Sequence, residues 1–322
     1  MRGMKRELKN RNEKNLLVVG AGDIGRRIIK QLARRGRPYE KVHAVTSTPS
    51  HRASLKRLGA RPVVANLDRP GTLKRLPHNW TALIHSVPPQ SYLSGDQRTR
   101  NLLRVLARAR DPSALQQQRN RTLVYLSTSG VYGDCGGERI TEARATNPQN
   151  PRAKRRVDAE RRLIRASRSG LFRLIVLRVP GIYAADRLPL QRLKNGTAAL
   201  IDADDVYTNH IHAADLAAIT IAALHHLETH KRRHARIYHA SDDSEIKMGA
   251  WFDLVADTFS LPRAPRLTRQ DISTAVSPAL LSFMNESRRL DNTRMKQELR
   301  VHLQFATAAD GVAAARLVMP QA

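Results

Sequence analysis

Three glycines near the amino terminus have the spacing of a phosphate-binding turn. Gly20, Gly22 and Gly25 follow a short apolar run and precede a segment with a helical pattern. The first glycine permits the bend, the second lets the backbone approach a pyrophosphate, and the third lets the helix pack close to the strand. This context predicts a dinucleotide site, with a tight turn without ligand as the alternative. The residues predicted to contact the dinucleotide here are Gly20, Gly22, Asp23, Ile24 and Gly25.

The end of the second predicted strand decides which dinucleotide is favoured. The acid that binds the ribose 2′-hydroxyl of NAD is expected about 20 residues after the glycines. Residues 45–52 contain no Asp or Glu, whereas Ser47 and Arg52 could receive the 2′-phosphate of NADP. The sequence therefore favours NADP over NAD. A plain surface position for Arg52 is the competing interpretation.

Strand and helix patterns alternate along the chain and must position these residues. Short apolar runs predict strands, and amphipathic segments between them predict helices, which together indicate a doubly wound parallel sheet of the Rossmann type in the α/β class. The predicted strands are 16–19, 42–45, 62–65, 82–84, 123–126, 174–177 and 237–240. The predicted helices are 24–35, 51–58, 99–109, 151–169 and 213–227, and the chain from Met248 onward has a helical pattern.

These patterns predict three segments of different character. Residues 1–12 form a basic tail, and residues 13–183 form the dinucleotide-binding Rossmann domain. Residues 184–322 form a smaller, mixed but mainly helical substrate lobe, from which about 235–241 return a strand to the sheet. Small-molecule sites lie beyond the carboxyl ends of such strands, so the lobe is expected to cover the substrate.

Composition limits the environment and the partners. The 322 residues carry a formal net charge of +28 and a single cysteine, Cys135. We find no apolar run of transmembrane length and no secretion signal, so we expect a cytoplasmic protein that does not bind membranes. The basic surface attracts polyanions, but no nucleic-acid-binding motif is present, so we expect only nonspecific attraction to nucleic acid. The expected partner is a small-molecule substrate.

A family resemblance is carried by four further segments, which occur in the same order along the chain as in the family. They are Tyr125–Asp134, Leu177–Tyr183, Asn209–Leu216 and Ser287–Asn292. These segments resemble the extended short-chain dehydrogenases, the family of NAD-dependent epimerases and dehydratases. The chain is most similar to a bacterial sugar-nucleotide epimerase-like group that lacks the usual Tyr-x-x-x-Lys pair. The resemblance implies a nicotinamide cofactor and leaves open a homodimer formed through the helix after Pro151.

The resemblance also implies cofactor contacts after the third and fourth strands. Asn66 and Leu67 resemble the Asp-Leu pair of the family that contacts adenine, with Asn in place of Asp. Ser86 and Pro88 follow the fourth strand and are expected to run beside the middle of the cofactor.

The expected catalytic pair is replaced in this chain. The resemblance places Arg152 at the tyrosine position and Arg156 at the lysine position. An arginine cannot exchange protons at neutral pH as a phenol does, because its pKa is too high. The resemblance assigns Thr128 to the reacting oxygen and leaves Arg156 to hold the nicotinamide ribose. The alternative for Thr128 is a capping role at the end of a strand. Tyr132, the nearest phenol, is either a displaced acid or a packed residue with its hydroxyl bonded.

The remaining polar residues have structural alternatives. His210 and His212 either line the site or pack at a helix end, and Tyr183 has the same two possibilities. Cys135 has no histidine partner in the sequence and is interpreted as a spectator thiol. The histidines from 225 to 239 lack the spacing of a zinc site, so we expect no metal.

Three functions follow as hypotheses, and the third, a nucleic-acid or polyanion binder built on this fold, is supported only by the charge. The first is an NAD(P)-dependent oxidoreductase or epimerase that acts on a hydroxyl or carbonyl carbon, with a nucleotide sugar as one candidate substrate. The second is a catalytically silent NAD(P)-binding sensor or regulatory protein, which the missing tyrosine favours. The fold alone does not decide between them.

Overall fold

The computed structural model describes residues 14–36, 38–108, 120–230 and 234–319. The basic tail predicted for residues 1–12 lies outside the described residues. Among the described helices, none combines the length and apolar character that crossing a lipid bilayer requires.

The main sheet has seven strands, and most of their residues are buried. Continuous apolar runs buried on both faces are typical of a parallel sheet covered by helices. All seven predicted strands are present, each with bounds that differ from the predicted ones by at most a few residues. They are β1 Asn15–Val19, β2 Lys41–Thr46, β3 Arg61–Val64, β4 Ala82–His85, β5 Thr122–Thr128, β6 Arg173–Val179 and β7 Arg236–His239.

The strand order shows where a ligand should bind. The sheet runs β3-β2-β1-β4-β5-β6-β7, and the pairs from β3 through β5 are parallel. Leu16 of β1 lies opposite Val42 of β2 on one side and Ala82 of β4 on the other. The strand order therefore reverses between β1 and β4, and ligands of doubly wound sheets bind beyond the carboxyl ends of the strands at this switch point.

Helices connect the strands and continue through the second half of the chain. The segment predicted as a helix at 51–58 begins one residue later, because a tight turn over Pro49–His51 precedes it. The α-helices are α1 Asp23–Arg34, α2 Arg52–Arg57, α3 Gln97–Arg108, α4 Pro151–Arg168, α5 Leu190–Lys194, α6 Ala213–Thr229, α7 Met248–Thr258, α8 Arg269–Ala275, α9 Pro278–Met284, α10 Thr293–Leu299 and α11 Ala308–Val318.

The chain divides into two compact units. The first unit comprises 1–126, 159–176 and 223–236, and the second comprises 127–158, 177–222 and 237–322. The domain boundaries that we drew from the sequence stay a prediction. In the first unit, the core is formed by strand residues such as Leu17 and Leu83, both fully buried.

The second unit has its own core and several short strand pairs. Trp251 and Phe252 of α7 pack there with Tyr183. The purely helical pattern predicted after Met248 is incomplete, because two short strands interrupt it at Arg266–Leu267 and Arg289–Leu290. Two-residue strands are too short to produce a period of two in the sequence. The short pairs are 199–200 with 266–267, 139–140 with 289–290, 181–183 with 210–212, and 207–208 with 246–247.

Candidate functional site

Two of the three glycines occupy positions that no other residue fits. Gly20 directly follows β1 and has φ +105°, a left-handed conformation that favours glycine. A Cβ atom on Gly20 would lie 2.6 Å from the Ser86 hydroxyl oxygen. A Cβ atom on Gly25 would overlap the carbonyl oxygen of Gly20, so the helix closes directly onto the turn. Both positions therefore require glycine for the fold itself.

Gly22 differs from its two neighbours in the motif. It is exposed, and a Cβ atom there would have no protein atom within 4 Å. Gly22 is the N-cap of α1, and no side chain caps this helix end. The first N–H groups of a helix have no partner within the helix and carry the positive end of its dipole. The open space at Gly22 therefore adjoins backbone donors suited to a phosphate.

The loop is held in place by backbone and side-chain contacts within the first unit. The Ala21 N–H donates to the Val45 carbonyl of β2 at 2.9 Å, and Arg26 Nε donates back to the Ala21 carbonyl at 3.3 Å. Asp23 is exposed and forms an ion pair with Arg27 at 2.7 Å. Of the five predicted contact residues of this turn, Asp23 thus already has a cationic partner.

Ser86 supports the glycine turn directly. Its hydroxyl donates to the Gly20 carbonyl at 2.8 Å, and its N–H donates to the Val19 carbonyl at 2.9 Å. The sequence placed Ser86 beside the cofactor, and the structure shows that its hydroxyl also fixes the bend at Gly20. This bond joins the ends of β1 and β4, the two strands that flank the switch point.

Arg98 joins the loops that follow β3 and β4, which the sequence did not reveal. Its guanidinium donates to both carboxylate oxygens of Asp68, at 2.9 and 2.7 Å, and to the Pro88 carbonyl at 2.9 Å. The pKa of Asp68 is lowered, chiefly by the hydrogen bonds from Arg98. Bidentate pairs of this kind are stronger and more directional than single contacts. Arg98 is therefore a positioning residue for the Pro88 loop.

Replacing Asp68 with asparagine is expected to lower the free energy of unfolding by about 1 kcal/mol at pH 7. Because the folded pKa of Asp68 is depressed, its stabilisation is present above the unfolded pKa of about 3.9 and is lost as the pH falls through the folded value. Urea denaturation at pH 7 and pH 3 measures this difference. If the difference in unfolding free energy between wild type and Asp68→Asn were as large at pH 3 as at pH 7, the ion-pair explanation would be contradicted.

The predicted adenosine-binding residues lie around the ends of β2 and β3. Ser47 and Arg52 are both exposed, as a contact to a ribose phosphate requires. The side-chain oxygen of Asn66 accepts from the Asp68 N–H at 2.8 Å, which closes a local turn. Leu67 is buried, and its carbonyl accepts from the Asn101 amide at 2.8 Å. Leu67 thus anchors this loop through its backbone.

In the second unit, Thr128 ends strand β5 at its carboxyl end. Its hydroxyl oxygen accepts from the Gly130 N–H at 3.3 Å and caps the short helical turn over Ser129–Tyr132. The capping role foreseen as the alternative for Thr128 is therefore present. Because the Thr128 hydroxyl oxygen acts as the acceptor in this bond, its O–H group can still donate a hydrogen bond to another partner.

Tyr132 is fully packed. Its side chain is 1% exposed, and its hydroxyl lies 2.5 Å from His239 Nε2. His239 Nδ1 lies 2.9 Å from the Asp291 carbonyl, to which it must donate, so Nε2 accepts from the tyrosine. Burial lowers the pKa of His239 to about 4, which keeps the imidazole neutral. This arrangement leaves the Tyr132 proton directed at an internal partner.

The two arginines that the resemblance places at the positions of the catalytic pair lie in the first turns of α4. Arg152 is exposed, and its guanidinium stacks on the Phe283 ring at 4.3 Å from the ring centre. Arg156, one turn further along the helix, is half-buried. The pKa of Arg152 is lowered, first by desolvation, although Glu286 opposes the shift.

A buried ion pair lies close to the end of β5. Glu286 Oε2 accepts from Arg288 at 2.9 Å, and Glu286 Oε1 accepts from the Asn150 amide at 3.0 Å. The Glu286 and Arg288 side chains are only 7% and 9% exposed. A Cβ atom on Gly130 would lie 3.6 Å from the Thr128 hydroxyl oxygen and 3.9 Å from Glu286 Oε2. The pair and Thr128 therefore flank the same glycine.

Two further side chains that were site candidates from the sequence are packed within the second unit. Tyr183 is 2% exposed and donates to the Thr307 carbonyl at 3.2 Å, and burial raises its pKa. His210 stacks on Trp251 at 4.3 Å, and burial lowers its pKa to about 3.

Three other polar side chains of the second unit also have contacts within that unit. His212 contacts the Phe305 ring at 4.0 Å. The Asp215 carboxylate accepts from the N–H groups of Gln304 and Phe305. Cys135 is buried, and burial raises the pKa of its thiol. Within the described ranges, we find no group of three or more His, Cys, Asp or Glu side chains that could hold a metal ion.

Sequence reasoning did not find Arg98 or Glu286. Arg98 is one of four arginines in α3, and nothing in the local pattern distinguishes it from the others. Glu286 directly precedes the basic segment Ser287–Asn292, and this adjacency was the one available signal. Its partner Asn150 lies 136 residues away along the chain.

Comparison with known proteins agrees with this geometry. The model of the NAD dependent epimerase/dehydratase family matches residues 16–238. A functionally unknown conserved protein from Silicibacter pomeroyi DSS has a similar structure, with 26% identity, a TM-score of 0.74, and coverage of 94% of this chain and 98% of that chain. The comparison with curated proteins finds no match.

Two solved enzymes share the fold at lower identity. One is a dTDP-glucose 4,6-dehydratase from Bacillus anthracis str. Ames in complex with NAD, with 16% identity, a TM-score of 0.71, and coverage of 94% of this chain and 96% of that chain. The other is a UDP-galactose 4-epimerase, with 17% identity, a TM-score of 0.69, and coverage of 94% and 97%. The Rossmann sheet, the glycine turn and the match over residues 16–238 together show that this chain belongs to the NAD dependent epimerase/dehydratase family.

Proposed function

We propose that this chain binds a nicotinamide dinucleotide at the glycine turn and acts as an oxidoreductase or epimerase at a carbon that bears a hydroxyl or carbonyl group. The observation that carries the proposal is the geometry of the three glycines. Gly20 and Gly25 are required by the backbone, whereas Gly22 leaves open space beside an uncapped helix end. The open space and the exposed donors fit a pyrophosphate.

The chain's own residues divide the work. A bound nicotinamide dinucleotide supplies hydride exchange with the substrate carbon. Thr128 donates a hydrogen bond to the reacting oxygen, and Arg156 holds the nicotinamide ribose. Burial and the bond to His239 argue against Tyr132 as the proton donor, so we assign proton transfer to water. Family membership and the similar UDP- and dTDP-sugar enzymes support a nucleotide sugar as the substrate class.

Titration of the purified chain with NADPH and NADH, followed by nicotinamide fluorescence, tests the proposal. We expect saturable binding of at least one of them. Absence of binding by both reduced dinucleotides would overturn it. Hydride exchange into a panel of nucleotide sugars and ketones then tests turnover.

A catalytically silent dinucleotide-binding protein is the second candidate. The specific observation in its favour is that the three tyrosines between residues 120 and 184 are buried: Tyr125, Tyr132 and Tyr183. A phenol that exchanges protons with substrate must reach it. Binding of the dinucleotide with no hydride exchange across the substrate panel would identify this second function.

We also propose that the site prefers NADP, because the end of β2 offers Ser47 and Arg52 and no carboxylate. Arg52→Ala is expected to weaken NADPH binding by about tenfold and to leave NADH binding unchanged, because only NADPH carries the 2′-phosphate. Arg57→Ala is a matched control, since Arg57 is an exposed arginine at the other end of α2. Equal losses for NADPH and NADH in Arg52→Ala would contradict the assignment.

A further inference from the structure

Arg152 has no direct ion pair with any residue that the structure describes. Within the described residues, its guanidinium has a ring contact with Phe283 but no hydrogen bond or ion pair. The contact with the ring face leaves the N–H edge of the guanidinium able to bind an anion in a bidentate manner. Its partial desolvation is not offset by a direct partner in the chain.

The surroundings of Arg152 are strongly positive. Three more arginines and one glutamate lie within electrostatic range of it: Arg155, Arg156, Arg288 and Glu286. Glu286 acts on Arg152 only from a distance, because its two oxygens already accept from Arg288 and Asn150. Arg288 is itself only 9% exposed, and its Nε has no hydrogen-bond partner among the described residues. Among the described residues, Arg152 thus lacks a direct anionic partner, and Arg288 has one buried donor without an acceptor.

The position of the cluster indicates what kind of anion it would receive. Glu286 and Arg288 are recessed, so a compact group fits better than an extended polymer. Gly130 separates Glu286 Oε2 from the Thr128 hydroxyl, with distances of 3.9 and 3.6 Å from a Cβ atom built on the glycine. Thr128 is the residue to which we assign the reacting oxygen. An anion bound here would therefore belong to the same small molecule as that oxygen.

We propose that Arg152, together with Arg288, binds an oxyanion group of the substrate, a carboxylate or a phosphate, beside Thr128. The assignment of this anion to the substrate rests on the proposed function, whereas the anion site itself does not. In place of a proton-exchanging phenol, the first turn of α4 thus carries a specificity determinant for acidic substrates.

The test uses the full chain and the probes malonate and orthophosphate. Thermal unfolding is measured at increasing concentrations of each probe. Sodium chloride is lowered in step, so that the ionic strength stays constant. We expect the melting temperature to rise saturably in wild type and to require at least about tenfold more probe in Arg152→Gln. Arg316→Gln is the matched control, because Arg316 also stacks on a phenylalanine, Phe259, at 5.7 Å. This control is expected to behave as wild type.

Each outcome of this experiment decides a point. Saturation by malonate alone identifies a carboxylate site, saturation by orthophosphate alone a phosphate site, and either supports the proposal. Equal probe dependence in wild type and Arg152→Gln would overturn it, because the effect would then be general charge neutralisation. NADPH binding is measured on the same samples and is expected to be unchanged in Arg152→Gln. If wild type bound neither NADPH nor NADH but still showed the anion effect, the proposed function would be refuted and the anion site would stand.

Discussion

Gly22→Ala is expected to weaken dinucleotide binding by about ten- to hundredfold while the protein keeps its fold. The new methyl group meets no protein atom within 4 Å, and Gly22 does not have the positive φ that disfavours a side chain. The methyl group would occupy the space through which a pyrophosphate approaches the backbone. Forcing one extra methyl group against a bound partner costs about 1–3 kcal/mol, and 1.4 kcal/mol corresponds to a factor of ten.

Two measurements on this variant separate the site from the fold. Thermal unfolding is expected to match wild type, while fluorescence titration with NADPH shows the loss of affinity. Gly71→Ala is the matched control, since Gly71 also lies in the first unit and has open space around a Cβ atom. Gly25→Ala, in contrast, is expected to destabilise the fold, because its methyl group overlaps the Gly20 carbonyl. Wild-type affinity for NADPH in Gly22→Ala would show that the pyrophosphate does not lie at this glycine.

Removing Glu286 alone is expected to cost about 3–5 kcal/mol of unfolding free energy, because the buried Arg288 guanidinium would lose its counter-ion. The expected cost is large because an uncompensated charge in a poorly solvated position is expensive. Glu286→Leu combined with Arg288→Met is expected to recover most of the loss, since an apolar pair of similar size carries no buried charge. Urea denaturation of the wild type, both single variants and the double variant gives the coupling energy directly.

An exposed pair provides the comparison for this cycle. Arg263 donates to both oxygens of Asp257 at 2.8 and 2.7 Å, yet the two side chains are 62% and 52% exposed. Asp257→Leu is expected to leave the unfolding free energy nearly unchanged, because water screens and solvates both charges. If Glu286→Leu were as mild as Asp257→Leu, the Glu286–Arg288 pair would not be the buried anchor that the structure indicates.

The local sequence was sufficient for the secondary structure and for the glycine turn. Apolar runs such as 16–19 and 123–126 predict strands because a buried strand leaves a contiguous apolar signature. The helix after Pro151 was predicted to end near Ser169, and it ends at Arg168. Strand pairs of two residues, such as Arg289–Leu290 with Arg139–Ile140, leave no such signature and were missed.

The sequence could name candidate side chains but not their partners. The sequence left two roles open for Tyr132, a displaced acid or a packed residue. Its burial and its hydrogen bond to His239 favour the packed role. Ser86 was expected beside the cofactor, and its hydroxyl is bonded to the Gly20 carbonyl. In each case the deciding contact joins residues more than 60 positions apart, so no local pattern contains it.

By itself, the sequence determined the strand–helix alternation, the glycine turn and the absence of a tyrosine from the first turn of α4, because each depends on neighbouring residues. Only the tertiary structure decided how charges are paired. It brought Arg98 to Asp68, Asn150 to Glu286 and Arg152 to the ring of Phe283. The physical reason is that the energy of a charge depends on its distance to other charges and to water, and folding sets both distances.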